Sequence, residues 1–349
     1  MMTALTLGGV PIGLPEIAAG VMALALNAYA LLGGADFGGG VWDLLARGPR
    51  RAAQRALIAE TIAPIWEANH VWLILVVVLC FTCFPPAFAQ LATVLHVPLT
   101  LMLVGIVLRG SAFVFRAYDV QSDDVKQRRW GLPFAVASLV TPVLLGVTLG
   151  ALASGAVGAV DPTRGTFAER FVAPWATPFS LAIGALTLAL FALLAATYLT
   201  VEADDPALAD DFRRRALAAQ AATVLAAAVA PLLAPAESPM RGVAAEGALA
   251  RLIAVAAAVC AAAVCVALWR RRWLLARLAA QGEAACLVWG WAWAQFPAVI
   301  PPNGTAARLA APPATLAWAL GALAVGTAIL LPSFVYLFRV FDRHRQGAG

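Results

Sequence analysis

Along the chain, long apolar runs alternate with short clusters of basic residues. The apolar runs cover residues 14–35, 57–84, 88–108, 132–153, 178–199, 216–233, 249–269, 284–300 and 314–338. Each is close to the roughly 20 residues that a helix needs to cross a hydrocarbon core. The pattern predicts an all-α integral membrane protein of about nine transmembrane helices, forming one polytopic domain over residues 1–349. No connection is long enough for a separate domain. Alternate connections also differ in charge. One set holds Arg47, Arg50, Arg51 and Arg55, then the cations from Arg109 to Arg129, Arg213 to Arg215, Arg270 to Arg277, and Arg339 to Arg345. It carries 19 of the 24 basic residues, against 5 in the other set. Because cytoplasmic loops carry the excess of Lys and Arg, the N-terminus is expected outside and the C-terminus in the cytoplasm.

Polar residues inside the apolar runs are the exceptions that point to function. The stretch from Ile62 to Leu73 sets Trp66, Glu67, Asn69, His70 and Trp72 into a segment otherwise fit for lipid. On one continuous helix Glu67 would lie about 18 Å beyond Arg55, near mid-membrane. Ionisable groups at that depth face protein or water and mark functional sites. Glu60 and Glu67 would share a helix face to within about 20°, with His70 about 60° further round. That face suits proton relay by Glu67, or an anchoring hydrogen bond to another helix or subunit. Pro64 cannot donate to the Glu60 carbonyl, so a kink is expected there, either admitting water towards Glu67 or serving architecture alone. In the first helix the run Gly33 to Gly40 surrounds Asp36. It lacks the strand and spacing of a phosphate loop; the glycines are expected to let the helix leave the membrane and pack closely on a neighbour. Asp36 is expected at the cytoplasmic boundary near the Arg47 cluster, where a role in proton entry is open.

Other features carry weaker signals. Cys80 and Cys83 form a CxxC with His96 downstream, too few ligands for a metal site, and Cys260, Cys265 and Cys286 read as packing residues; no metal is expected. Asn303-Gly304-Thr305 after Pro301 and Pro302 reads as a tight external turn. Glu202 to Asp211 reads as a solvated cytoplasmic turn. Trp269, Trp273, Trp289, Trp291 and Trp293 fit an interfacial aromatic belt or a groove for an isoprenoid tail.

Composition agrees with the pattern. The chain is 62% hydrophobic and 12% charged, with a mean hydropathy of +0.85, outside the range of soluble domains. Its net charge of +5 is confined to the inter-span clusters and is no nucleic-acid signal. The first residues lack the basic region of a signal peptide, so no cleavage is expected.

Several of these segments together resemble subunit II of the cytochrome bd quinol oxidases. They are Gly34-Ala35-Asp36-Phe37-Gly38-Gly39-Gly40, the Ile62 to Leu73 stretch, Phe84-Pro85, Arg109-Gly110-Ser111-Ala112-Phe113-Val114-Phe115-Arg116 and Phe296-Pro297-Ala298-Val299-Ile300-Pro301. The resemblance spans most of the chain. It implies a multi-pass protein of a bacterial cytoplasmic (inner) membrane, paired in a heterodimer with a subunit I that carries haems b and d and oxidises quinol. On this resemblance subunit II supports its partner and helps line a proton route, with Glu67 and Arg109 at the family positions linked to that interior. Trp66, Asn69, Glu60, Asp36 and Arg116 complete the candidate polar set. Some members also hold a structural quinone, and the sequence leaves a small accessory subunit open. Glu67 and Ala68 stand where the family commonly has Asp and Gly, which suggests a divergent branch. With only His70, His96 and His344, the chain offers no evident axial-ligand set for three haems. The competing reading is a proton-coupled secondary transporter, which also needs mid-membrane carboxylates but usually shows internal repeats; none is detectable.

Overall fold

The computed structural model describes residues 6–7, 9–62, 66–117, 124–241 and 247–346. A small hairpin, β1 (Thr6–Leu7) and β2 (Val10–Pro11), precedes α1 (Leu14–Leu44), α2 (Arg51–Ile62) and α3 (Trp66–Cys83). Next come α4 (Pro85–Val94), α5 (His96–Ala117), α6 (Asp124–Ala153), the short α7 (Ala156–Ala159) and α8 (Phe167–Phe171), α9 (Pro178–Glu202) and α10 (Pro206–Leu233). The chain ends with α11 (Ala248–Trp269), α12 (Trp273–Gln295), the hairpin β3 (Ala298–Ile300) and β4 (Gly304–Thr305), α13 (Ala306–Leu309) and α14 (Pro313–Gln346). Six of the nine apolar runs lie wholly within one helix, α1, α6, α9, α10, α11 or α14, while 88–108 spans α4 and α5 and 284–300 runs from α12 into β3. Among the described residues, five segments are long and apolar enough to cross a membrane: α1, residues 133–153 of α6, α9, α10 and α11. Residues 69–83 of α3 with α4 make a sixth if counted as one broken span, bent by 118°.

A local sequence explains where α3 gives way to α4. After Phe84, Pro85 and Pro86 cannot donate the hydrogen bonds that would continue α3, and Phe84 itself leaves the helical region (φ −135°, ψ 60°); proline then starts α4 in the position where its missing N–H costs nothing. Of the apolar run expected over 57–84, α2 ends at Ile62 and α3 begins at Trp66, and residues 63–65, with the kink expected at Pro64, lie outside the described residues. Glu60 is exposed on α2 and His70 is on α3, while the side chain of Glu67 lies outside the described residues.

Helices α6 and α9 form the centre, each mostly buried, with α1 laid against both and α3, α5, α10 and α12 around them. On α9 every residue from Leu190 to Thr197 is buried. This needs a neighbour without side chains, and α1 supplies one. A Cβ at Gly38 would collide with the Phe191 carbonyl, and one at Gly40 with the Ser138 hydroxyl. The Gly33 to Gly40 run is thus a close packing contact inside a 31-residue helix. Close approach of this kind drives helix association in lipid, where no hydrophobic effect separates helix from tail. Trp42 Nε1 donates to the Ala192 carbonyl at 2.8 Å and closes the same interface.

The outer surface is apolar. Val71, Ile74, Val78 and Phe81 on α3, and Leu101, Val104 and Leu108 on α5, are exposed large side chains at helical spacing. Such continuous stripes face lipid or another subunit.

Candidate functional site

The buried polar centre of the molecule is an ion pair between α1 and α5. Arg109 Nη1 donates to Asp36 Oδ2 at 2.8 Å and Nη2 to Oδ1 at 2.5 Å. The same Nη2 reaches the Asp36 carbonyl at 3.0 Å, and Nε donates to Ser138 Oγ at 3.2 Å. The side chains of Arg109 and Asp36 are 3% and 0% exposed. Ser138 Oγ in turn donates to the Phe134 carbonyl at 2.7 Å, and it comes this near only because Gly40 faces it. Two aromatic faces complete the enclosure: the guanidinium carbon lies 4.7 Å from the Phe37 ring centroid and 5.3 Å from that of Phe134.

The electrostatics follow from this geometry. A buried carboxylate is tolerable when its charge is balanced and its lone pairs are filled, and a forked guanidinium does both at once. Arginine stays protonated in proteins, so the pair is a fixed dipole held across three helices, α1, α5 and α6. Asp36, expected from sequence near the Arg47 cluster, is thus buried and paired with Arg109. That partner lies 73 residues away in the chain.

Beyond Phe37 the polar environment continues to the start of α3. The Phe37 ring is 6.2 Å from the His70 ring, which is 6.3 Å from that of Tyr29. Asn69 is buried, and its Nδ2 has no hydrogen-bond partner among the described residues. Trp66 and Glu67 belong to the first turn of α3 and Arg116 to the last turn of α5; the side chains of all three lie outside the described residues. Asp36, Arg109 and Asn69 are thus brought into the interior, while Glu60 is not. Ser138 and Phe134 escaped the sequence reading, since a serine or phenylalanine in an apolar helix carries no distinguishing pattern.

At the end of the molecule rich in cations, acidic residues are engaged. Arg50 binds Asp211 through Nη2 at 2.6 Å and Nε at 2.8 Å, Gln54 Nε2 donates to the same carboxylate at 2.9 Å, and Arg215 Nη2 donates to Gln54 Oε1 at 2.6 Å. Asp210 meets Arg213 at 2.8 Å and Arg271 at 3.3 Å. The segment from Glu202 to Asp211, read from sequence as a solvated turn, instead ties α2 to α10 and α10 to the loop before α12.

At the other end, an apolar cavity of about 570 Å³ lies among α1, α3, α5, α6 and the end of α12. Trp289, Trp291 and Trp293 line it, with Trp293 stacked on Phe296 at 5.8 Å between centroids. Gln295, also in the lining, is buried with an Oε1 that lacks a partner among the described residues. Trp269 is different, being 79% exposed, as an interfacial residue would be. His96 contacts Phe171 edge-on at 4.8 Å, and Cys80 and Cys83 are buried. Among the described residues no three His, Cys, Asp or Glu side chains converge as a metal site.

Comparison with known proteins gives one consistent answer. The chain is 33% identical over 135 residues to cytochrome bd ubiquinol oxidase subunit 2 of Bacillus subtilis (strain 168), a match covering 39% of each protein. It is 26% identical over 179 residues to cytochrome bd-I ubiquinol oxidase subunit 2 of Escherichia coli (strain K12), covering 51% of this chain and 46% of that one. The matches span less than half the length of these curated relatives. A solved structure of the bd oxidase from Geobacillus thermodenitrificans superimposes with a TM-score of 0.77 at 20% identity, covering 95% of this chain and 99% of the other, and so shares the fold. The family model for cytochrome bd terminal oxidase subunit II matches residues 14–341, a range that takes in the Asp36–Arg109 pair, the Trp66 to Asn69 turn and the Trp-lined cavity. The chain therefore belongs to the cytochrome bd terminal oxidase subunit II family.

Proposed function

We propose that this chain is the haem-free subunit II of a cytochrome bd-type quinol oxidase, a multi-pass protein of the bacterial cytoplasmic membrane. It supports a haem-bearing subunit I and helps bring cytoplasmic protons to the site where quinol electrons reduce oxygen to water. The observation that carries this reading is the family match over residues 14–341. In this reading haems b and d belong to the partner, as the family resemblance implies. The proposed topology is nine spans, with the N-terminus outside and the C-terminus in the cytoplasm, which the 19 to 5 division of basic residues supports.

Within that frame the buried residues divide the work. Asp36 is held in a forked bond to a permanently charged Arg109, and a carboxylate so held is a poor proton carrier; its role is to fix α1, α5 and α6. Proton access falls to Glu67, with Asn69 two residues on. Arg116, at the end of α5, belongs to the cytoplasmic approach. The Trp-lined cavity fits a structural isoprenoid quinone, because its walls are apolar. The transporter reading finds no support in the comparisons.

Glu67→Gln is the test, because the amide keeps size and hydrogen bonding and cannot cycle a proton. The expected variant complex assembles with full haem content and loses most oxygen consumption, while Glu67→Asp keeps much of it. A fully assembled, fully active Gln variant would falsify the relay.

A further inference from the structure

A second buried carboxyl, Glu283 on α12, lies outside the polar centre described above. It is 3% exposed, and its one hydrogen-bond partner among the described residues is Gln220 on α10, 1% exposed, whose Nε2 donates to Glu283 Oε1 at 3.1 Å. One oxygen on each group is left over. Glu283 Oε2 and Gln220 Oε1 are both buried and have no hydrogen-bond partner among the described residues.

Among the described residues no cation and no donor stronger than a thiol meets the two leftover oxygens. Cys265 of α11 and Cys286 of α12 are the titratable groups facing Glu283. Thr223 of α10 spends its hydroxyl hydrogen on the Ala219 carbonyl at 2.9 Å. The nearest arginine on α12, Arg277, is six residues away, where it pairs with Glu202 at 3.7 Å and lies 4.1 Å from the Tyr198 ring. Of the arginines of α10, Arg213 pairs with Asp210 and Arg215 with Gln54, and Arg214 is exposed. The pair therefore holds two buried acceptors too many and is short of one hydrogen. An ionised Glu283 would leave a buried charge with a single amide donor and turn its second oxygen towards no partner, the costliest arrangement for a polar group in a low-dielectric interior. A hydrogen on Oε2, donated to Gln220 Oε1, removes the charge and satisfies both oxygens in a cyclic acid–amide pair.

We propose that Glu283 and Gln220 form a proton-binding site in which the carboxyl is neutral at neutral pH and donates to the amide oxygen, latching α12 to α10. The placement gives the latch a purpose. Helix α10 packs chiefly on α9 and α12 chiefly on α11, with little contact between α10 and α12, so this pair is a direct polar link between them. It is independent of the oxidase reading, since it rests on the hydrogen count of two side chains.

Infrared spectroscopy of the purified full-length chain, in the complex with which it is isolated, tests the site at neutral pH. Wild type minus Glu283→Gln should contain the carbonyl stretch of a protonated carboxyl. Gln220→Leu should keep that stretch and move it to the higher frequency of an acid without a strong acceptor. A difference containing only carboxylate bands overturns the proposal, as do carboxylate bands that shift on exchange of sodium for potassium, which would mean a bound monovalent cation in place of the proton. If Glu283→Gln fails to assemble, Gln220→Leu decides alone: an unmoved protonated band, or none, overturns the site.

Discussion

Replacing Asp36 by Leu and Arg109 by Met, singly and together, tests whether the two act as one unit. Each single change leaves its partner charged in a site with exposures of 0% and 3%, and stranding one member of a buried pair costs about 3–5 kcal/mol. The local geometry puts this pair at the upper end. Removing Arg109 strips Asp36 of both carboxylate bonds and one carbonyl bond, and it frees Ser138 as well. The double variant strands no charge. It replaces the pair by apolar side chains in an enclosure already walled by Phe37 and Phe134, and such exchanges are close to neutral, within about 2 kcal/mol. The singles then sum to roughly 6–10 kcal/mol against about 2 for the double, a coupling of about 4 kcal/mol or more. Denaturant titration of the purified complex, followed by tryptophan fluorescence, measures all three. Ser138→Ala serves as a graded control and should lose only about 1 kcal/mol. Additive costs, with the double as unstable as the sum of the singles, would refute the pairing and the anchoring role assigned to Asp36.

Further outcomes are expected elsewhere in the chain. Gly38→Ala puts a methyl group against the Phe191 carbonyl, and forcing α1 off α9 should cost at least about 1–3 kcal/mol; an unchanged melting temperature would mean the helices are not in backbone contact. A reporter fused after Arg345 should be active only as a cytoplasmic fusion and one at Arg164 only as an external one, and the reverse at either point would overturn the nine-span topology. In the loop between α6 and α9, Glu169 accepts from the Thr166 N–H at 2.8 Å and from its hydroxyl, which holds the carboxyl below its ordinary value of 4.5. A lowered folded value means that the capping of α8 is fully present above about 4.5 and is lost as pH falls through the lower folded value. Amide exchange in α8 should therefore accelerate below that point in wild type and lose this pH dependence in Glu169→Gln.

Much of the architecture was legible in the linear pattern because membrane solvation constrains one helix at a time. A run of apolar residues must become a helix to satisfy its own backbone in lipid, so six of the nine expected spans lie wholly within one helix without knowledge of its neighbours. The Trp66-Glu67-Ala68-Asn69 turn and the Asp36 run carried the family in the same way, as local strings. The tight turn read at Asn303-Gly304-Thr305 likewise lies at the β3–β4 hairpin, because proline and glycine act on their own backbone. Where two distant segments had to meet, the linear pattern had no purchase. Nothing in the helix of Asp36 shows that Arg109 comes to it. Only the buried face of α9 explains why side chains must be absent at Gly34 and Gly38. Ser138, Gln220 and Glu283 gave no linear signal, since a hydrogen bond across helices depends on which faces pack. Periodicity and composition set the helices and the family; the depth, partner and charge balance of each buried polar group were decided by helix packing, because an isolated strand of sequence cannot say which distant atom will replace the water that a buried charge has lost.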